Sequence, residues 1–356
     1  MKTWPPLLIC LACAGCAAEE VNKKRGGPGV EASEGWVEPW ESNSGQVDFA
    51  RCPDPEGYSP AAVETSEHGL DIAVYYPQRT GVRRQLLVFL HGQGGLPKNN
   101  IRILGTAAYA GYNTLGLWHW NEPGVQSMCL GRVDYDSCVE GVRAARVYGS
   151  EYDSEIEFPD SLSVVGSLYT RLRELDELYP NLDWGEYYDP MPPNARDHEN
   201  YIHWDRIVLG GFSAGAGPAV LLGRDQAAAG VVLHSGLLDP LEWAHEGETP
   251  ITSFFAFRHE DEGNGAFLAD SWENLGIPGQ DTYIGAAQTH LSALDFRDLD
   301  THRFVSTLPP RVGCEASDPA HGSMAQMTCM NIDEAAIDEP YGLFRAYLYA
   351  YCQAGS

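Results

Sequence analysis

Basic residues are scarce in this 356-residue chain, where 23 Lys and Arg stand against 50 Asp and Glu for a net charge of -27. A nucleic-acid partner needs clustered cations to neutralise phosphates, so this balance argues against one. An acidic surface of this kind chiefly favours solubility. Long apolar runs are missing as well, and the stretch Pro5 to Gly15 is too short to cross a bilayer. No internal repeat is evident. The six cysteines beyond residue 16 form no C-x-x-C pair and no histidines cluster with them, which disfavours a zinc site. The acidic run Glu151, Asp153, Glu155, Glu157 lacks the ligand spacing of a calcium loop.

The N-terminus combines one lysine, a short apolar run and then small residues up to Ala14-Gly15-Cys16. It resembles a bacterial lipoprotein signal over residues 1–16, with Cys16 as the acylated residue and attachment to a membrane through it. Ordinary signal cleavage near Ala17-Ala18 is the alternative, and export follows in both cases. The expected location is a periplasmic or outer-membrane lipoprotein, or a secreted protein. Residues 17–50 are read as a flexible linker, and its stretch from Glu19 to about Gln46 is rich in Glu, Gly, Ser, Asn and Pro, which predicts a solvated tether whose only large apolar groups are Trp36 and Trp40. Residues 51–356 are then sized for one α/β domain. Its six cysteines, an even number, fit a disulfide framework in an oxidising compartment. Sequence alone does not fix the connectivity; proximity suggests Cys129 with Cys138 and Cys314 with Cys329, with Cys52 and Cys352 tying the two ends together.

Apolar patterning predicts strands at 70–76, 85–90, 114–118, 207–209, 230–236, 251–257 and 302–308. Helices are expected at 100–110, 134–148, 161–179, from 216, at 270–275 and near 341–351. The stretch 128–201 is either a cap over the site or an ordinary surface connection. Trp118 and Trp120, at the end of a predicted strand, are either pocket lining or core.

The run Ile207-Val-Leu-Gly-Gly-Phe-Ser-Ala-Gly-Ala216 reads as strand, tight turn and helix, with Ser213 at the turn and small residues at 211, 215 and 216. Its Gly-x-Ser-x-Gly pattern resembles the nucleophile elbow of the α/β-hydrolase superfamily. His91-Gly-Gln-Gly-Gly95, directly after an apolar strand, resembles that family's oxyanion loop. The resemblance runs over roughly residues 70–352 and implies a doubly wound, mostly parallel sheet of about eight strands with helices on both faces.

It also implies a site. Ser213 would be the nucleophile, Asp261 the acid and His321 the base, in the family's chain order, with the N–H groups of Gln93 and Ala214 as oxyanion donors. Glu260 and Glu262 stay open beside Asp261, because one residue of error at the strand end changes which side chain turns inward. The implied activity is an exported serine hydrolase acting on carboxylic esters, in the manner of secreted esterases and polyester depolymerases. No metal or organic cofactor is implied. A catalytically silent binding module, or a peptidase or acyltransferase with the same residues, is the alternative reading.

Overall fold

The computed structural model describes residues 61–64, 72–75, 84–109, 111–149, 158–193, 195–239, 244, 247–285, 301–326, 328–330 and 342–355. The proposed signal, the tether with Trp36 and Trp40, the acidic run at 151–157, and Cys52 with its suggested bond to Cys352 lie outside the described residues.

Among the described residues, nine strands form one sheet: β1 (Ala61–Glu64), β2 (Ile72–Tyr75), β3 (Leu86–Leu90), β4 (Asn113–Leu117), β5 (Ile207–Phe212), β6 (Gly230–His234), β7 (Phe254–His259), β8 (Thr282–Ile284) and β9 (Arg303–Ser306). Their spatial order is β1-β2-β4-β3-β5-β6-β7-β9-β8. The first two strands are antiparallel additions at one edge, and the seven from β4 to β8 are mutually parallel. This is the α/β-hydrolase arrangement, with its doubly wound sheet and crossing connections.

Parallel strands covered on both faces must be apolar at consecutive positions. β3 meets that demand: Leu86, Val88 and Leu90 face one core with Leu209 and Val231, while Leu87 and Phe89 face the other with Val208 and Val232. The first core is covered by α3 (Tyr135–Tyr148), α4 (Val164–Leu178) and α5 (Ala216–Asp225). On α4 the buried positions Val164, Val165, Leu168, Leu172 and Leu175 follow the helical period, and the Ser163 hydroxyl caps the helix by accepting from Gly166 N at 3.0 Å. This helix is therefore a layer of the sandwich. The opposite core is closed by α1 (Ile101–Tyr109) and α8 (Gly342–Ala354), the latter through Ala346, Tyr347, Ala350, Tyr351 and Ala354. Short helices α2 (Val125–Cys129) and α7 (Pro319–Gly322), together with α6 (Gly265–Leu275), sit in the connections that follow strand C-termini.

Two expected disulfides are formed, Cys129–Cys138 with Cα atoms 5.7 Å apart and Cys314–Cys329 with Cα atoms 4.6 Å apart. Among the described residues, no helix is long and apolar enough to cross a membrane. The seventh strand begins three residues later than the sequence pattern suggested and runs to His259. That displacement moves the turn that follows it.

Candidate active site

Adjacent parallel strands deliver their C-terminal loops side by side, and β3 pairs with β5 so that Leu90 lies opposite Gly211. The loop beginning at His91 therefore meets the turn at Ser213. A β-carbon placed on Gly92 would lie 3.3 Å from that of Ser213. Ser213 itself has φ of 53°, a left-handed conformation unusual for a residue with a side chain. The turn is so tight that side chains at Gly211 or Gly215 would overlap the backbone, of Gly215 in the first case and of Leu90 in the second. That is why small residues recur at these positions. Glycine at 211 and 215 lets strand, turn and helix pass within van der Waals contact of each other.

The His91 loop is held by a network that the sequence did not reveal. Asn121, in the loop after β4, donates through Nδ2 to the carbonyl oxygens of His91 (3.2 Å) and Gly92 (2.8 Å), and its Oδ1 accepts from Gly94 N (3.2 Å). His119 Nε2 faces His91 O at 3.0 Å, and His119 N points at His91 Nε2 at 3.4 Å. With Nε2 of His91 an acceptor, its proton belongs on Nδ1, which lies 2.8 Å from Gly92 O. Burial pushes the His91 imidazole down to about 4 despite this hydrogen bond, and burial likewise holds His119 well below the usual histidine range. Both rings are neutral at ordinary pH. The Gly92 carbonyl and the Gly94 N–H are thus engaged, while the N–H of Gln93 between them has no acceptor among the described residues.

The same side of the molecule is stitched by a buried pair between Arg143 of α3 and Asp239 after β6, with Gln126 Nε2 donating to Asp239 Oδ1 at 2.8 Å. Arg146 donates to Pro123 O at 2.7 Å, and burial beside Arg143 lowers its guanidinium to about 10. Trp118 and Trp120 meet edge to face at 6.2 Å, and Trp120 is 46 % exposed.

Of the three carboxylates after β7, the structure brings Glu262 to the histidine. Glu262 is buried, with Oε2 3.7 Å from His321 Nδ1 and 2.6 Å from the Ser235 hydroxyl that donates to it. Glu260 and Asp261 occupy the tip of the turn and are exposed. The expectation placed on Asp261 is therefore corrected at the level of geometry. Because β7 extends to His259, the turn falls at 260–261 and the next residue is the one directed inward.

His321 sits on α7, the short helix after β9, with its ring 4.9 Å from that of Phe212, the neighbour of Ser213. No hydrogen bond joins its ring to the Ser213 hydroxyl among the described residues. The separation from Glu262 is likewise longer than a hydrogen bond. Asp318 ties the two loops together: Oδ1 accepts from His321 N and Oδ2 from Gly263 N, both at 3.1 Å. Partial burial opposes its ionisation, but these N–H groups and the nearby imidazole prevail and keep its carboxyl below the usual range. The Cys314–Cys329 bond lies beneath, with Cys329 Sγ 3.1 Å from where a Gly322 β-carbon would stand. Among the described residues no group of His, Cys, Asp and Glu has the arrangement of a metal site.

The fold and site together define an α/β-hydrolase-type framework with serine, histidine and glutamate at its strand C-termini. No family model matches the chain, and no curated protein matches it in sequence. Among solved structures, esterase B from Lactobacillus rhamnosis, crystallised with a tributyrin phosphonate inhibitor, is 12 % identical over 73 % of this chain and 77 % of that one, with a TM-score of 0.36. The fold assignment rests on strand order and direction rather than on this distant likeness.

Proposed function

We propose that the chain is an exported serine hydrolase that cleaves carboxylic esters through an acyl-enzyme intermediate. The observation that carries the reading is Ser213, held at a left-handed turn between β5 and α5, beside the β3 loop and the ring of His321. In the first half-reaction His321 takes the proton of the Ser213 hydroxyl as its oxygen adds to the ester carbonyl. The carbonyl oxygen becomes an anion, received by the N–H groups of Gln93 and Ala214. Collapse breaks the carbon–oxygen bond to the alcohol, which leaves with the proton from His321. Water, deprotonated by the same histidine, then releases the acid and restores Ser213.

Glu262 is the carboxylate of this reading, facing the Nδ1 edge of His321 and stabilising the imidazolium that forms in each step. A fixed carboxylate there also favours the tautomer that leaves Nε2 free to accept a proton. The half-exposed Trp120 and its neighbour Trp118 supply apolar surface near the oxyanion loop for an acyl or alcohol group. Disulfides among the described residues fit an oxidising location, in keeping with export by a lipoprotein-type or ordinary signal.

The test is turnover of p-nitrophenyl acetate and butyrate by the purified protein and by Ser213→Ala. The expected result is saturable hydrolysis that falls at least 10³-fold in the variant. Hydrolysis that persists unchanged in Ser213→Ala would remove the serine from the chemistry.

A further inference from the structure

The hydroxyl that reaches Glu262 comes from a residue with no assigned role. Ser235 follows β6 directly, is fully buried, and has φ of 46°, so it too stands in the left-handed region. Its place is over-determined. Its N–H donates to Phe257 O at 2.7 Å, and the next carbonyl, of Gly236, accepts from the indole of Trp272 at 2.8 Å. A side chain at Gly236 would overlap Ala216, the first residue of α5 behind the nucleophile turn. The segment is thus wedged between the elbow and the β7 turn, and its one polar side chain points at the acid.

The donor meets the same carboxylate oxygen that faces the imidazole. Ser235 Oγ is 2.6 Å from Glu262 Oε2, whereas His321 Nδ1 is 3.7 Å from it, and Oε1 has no hydrogen-bond partner among the described residues. We infer that Ser235 is a positioning residue that shares Oε2 of Glu262 with His321 and so sets how strongly that carboxylate pairs with the imidazole. This rests on the hydrolase reading of the site and goes beyond it. A carboxylate that already accepts a strong hydrogen bond offers less of its charge to a second donor. With the hydroxyl removed, Oε2 still faces Nδ1 of His321 from 3.7 Å, and its undivided charge holds the imidazolium more tightly. The histidine then becomes a base that stays protonated to higher pH.

Among the described residues three other charged or titratable groups stand near this pair, the first being Arg258 of β7, whose Nη1 and the Glu262 Cγ lie 3.3 Å and 3.6 Å from where a Gly265 β-carbon would stand. Asp318, the N-cap of α7, lies on the histidine's own loop. Tyr347 of α8 lies near Glu262, and burial together with that carboxylate keeps its phenol neutral. Their recorded hydrogen bonds go to groups other than Ser235: Arg258 to Asp281, Asp318 from Gly263 and His321, and Tyr347 to Met324 O.

Two variants separate the hydroxyl from the backbone. Ser235→Ala removes the oxygen and leaves a side chain in the left-handed region, whereas Ser235→Gly removes the oxygen and relieves the backbone. Their effects on thermal stability differ, but their kinetic effect is the same. In both, kcat/KM on p-nitrophenyl butyrate falls about tenfold at pH 6 and recovers to within about threefold of the parent at pH 9, as the acid limb moves up by about one pH unit. The imidazole titration of His321, followed by NMR in the Ser213→Ala background, moves the same way, giving a reading that does not depend on turnover. An unmoved His321 titration and an unchanged pH profile in Ser235→Gly, in a protein whose activity does depend on Ser213 and Glu262, would overturn the inference alone. A parent with no Ser213-dependent turnover would overturn the hydrolase reading, and this inference with it.

Discussion

At the scale of single residues, the side chain that faces a histidine after β7 is decided by where the strand stops. The apolar run 251–257 placed the turn two residues early and favoured Asp261, while pairing of His259 with Ser306 carries the strand on and turns Glu262 inward. Neither the reach of a hydrogen-bond ladder nor the left-handed backbone of Ser235 is visible in a run of apolar letters. The difference has a direct consequence in kinetics. Glu262→Gln is expected to lower kcat on ester substrates by about 10²- to 10⁴-fold, because an amide no longer stabilises the imidazolium. Asp261→Asn, at the exposed tip of the turn, is expected to stay within about twofold. Equal losses in the two variants would contradict the placement of the acid.

Elements rather than residues fix the distances among Ser213, His321 and the His91 loop. The turn between β5 and α5 was legible because small residues at 211, 215 and 216 are a local requirement written in consecutive letters. The bracing of the His91 loop was not, since Asn121 stands 30 positions from His91 and meets it only because β3 and β4 are neighbours. Asn121→Ala frees the Gly92 carbonyl and the Gly94 N–H from one partner. It should lower kcat by about tenfold through loss of oxyanion alignment, with little change in KM, a split that steady-state kinetics resolves. The histidine loop depends on its disulfide in the same way. Replacing Cys314 and Cys329 together by alanine opens a loop of sequence separation 15 and should cost about 3 kcal/mol in denaturant unfolding. The same variant should lose activity at temperatures where the parent and the variant are both folded, because α7 is no longer pinned against the strand ends.

For the molecule as a whole, the doubly wound sheet was legible through the resemblance carried by the Ser213 turn and the His91 loop, with apolar strands and helices falling in an order that agrees with it. The three-residue β8 and the edge strand β1 were not, because so few residues carry no period of their own. The buried histidines give the whole fold a pH signature. Burial lowers His91 to about 4 and His234 to about 3, and holds His119 well below its ordinary value. The unfolded chain therefore binds protons below about pH 6.5 that the native state refuses, so their stabilising effect is complete above that pH and is lost as pH falls toward 4. Asp239, raised by burial despite Arg143, acts with the opposite sign. Each histidine kept neutral in the native state should contribute a slope of about 1.4 kcal/mol per pH unit near pH 5. It can be read from urea unfolding at several pH values, in enough salt to screen the net charge of -27. A flat profile between pH 6.5 and 4.5 would mean that these rings titrate normally in the native state.

The central claim is that Ser213 is a nucleophile activated by the geometry around it, and covalent labelling tests it most directly. The purified protein is treated with a fluorophosphonate, digested, and mapped by mass spectrometry. The account predicts one stoichiometric adduct on the peptide containing Ser213, absent in Ser213→Ala and formed much more slowly in His321→Ala. A folded parent that takes up no label, or takes it up at another residue, would contradict it.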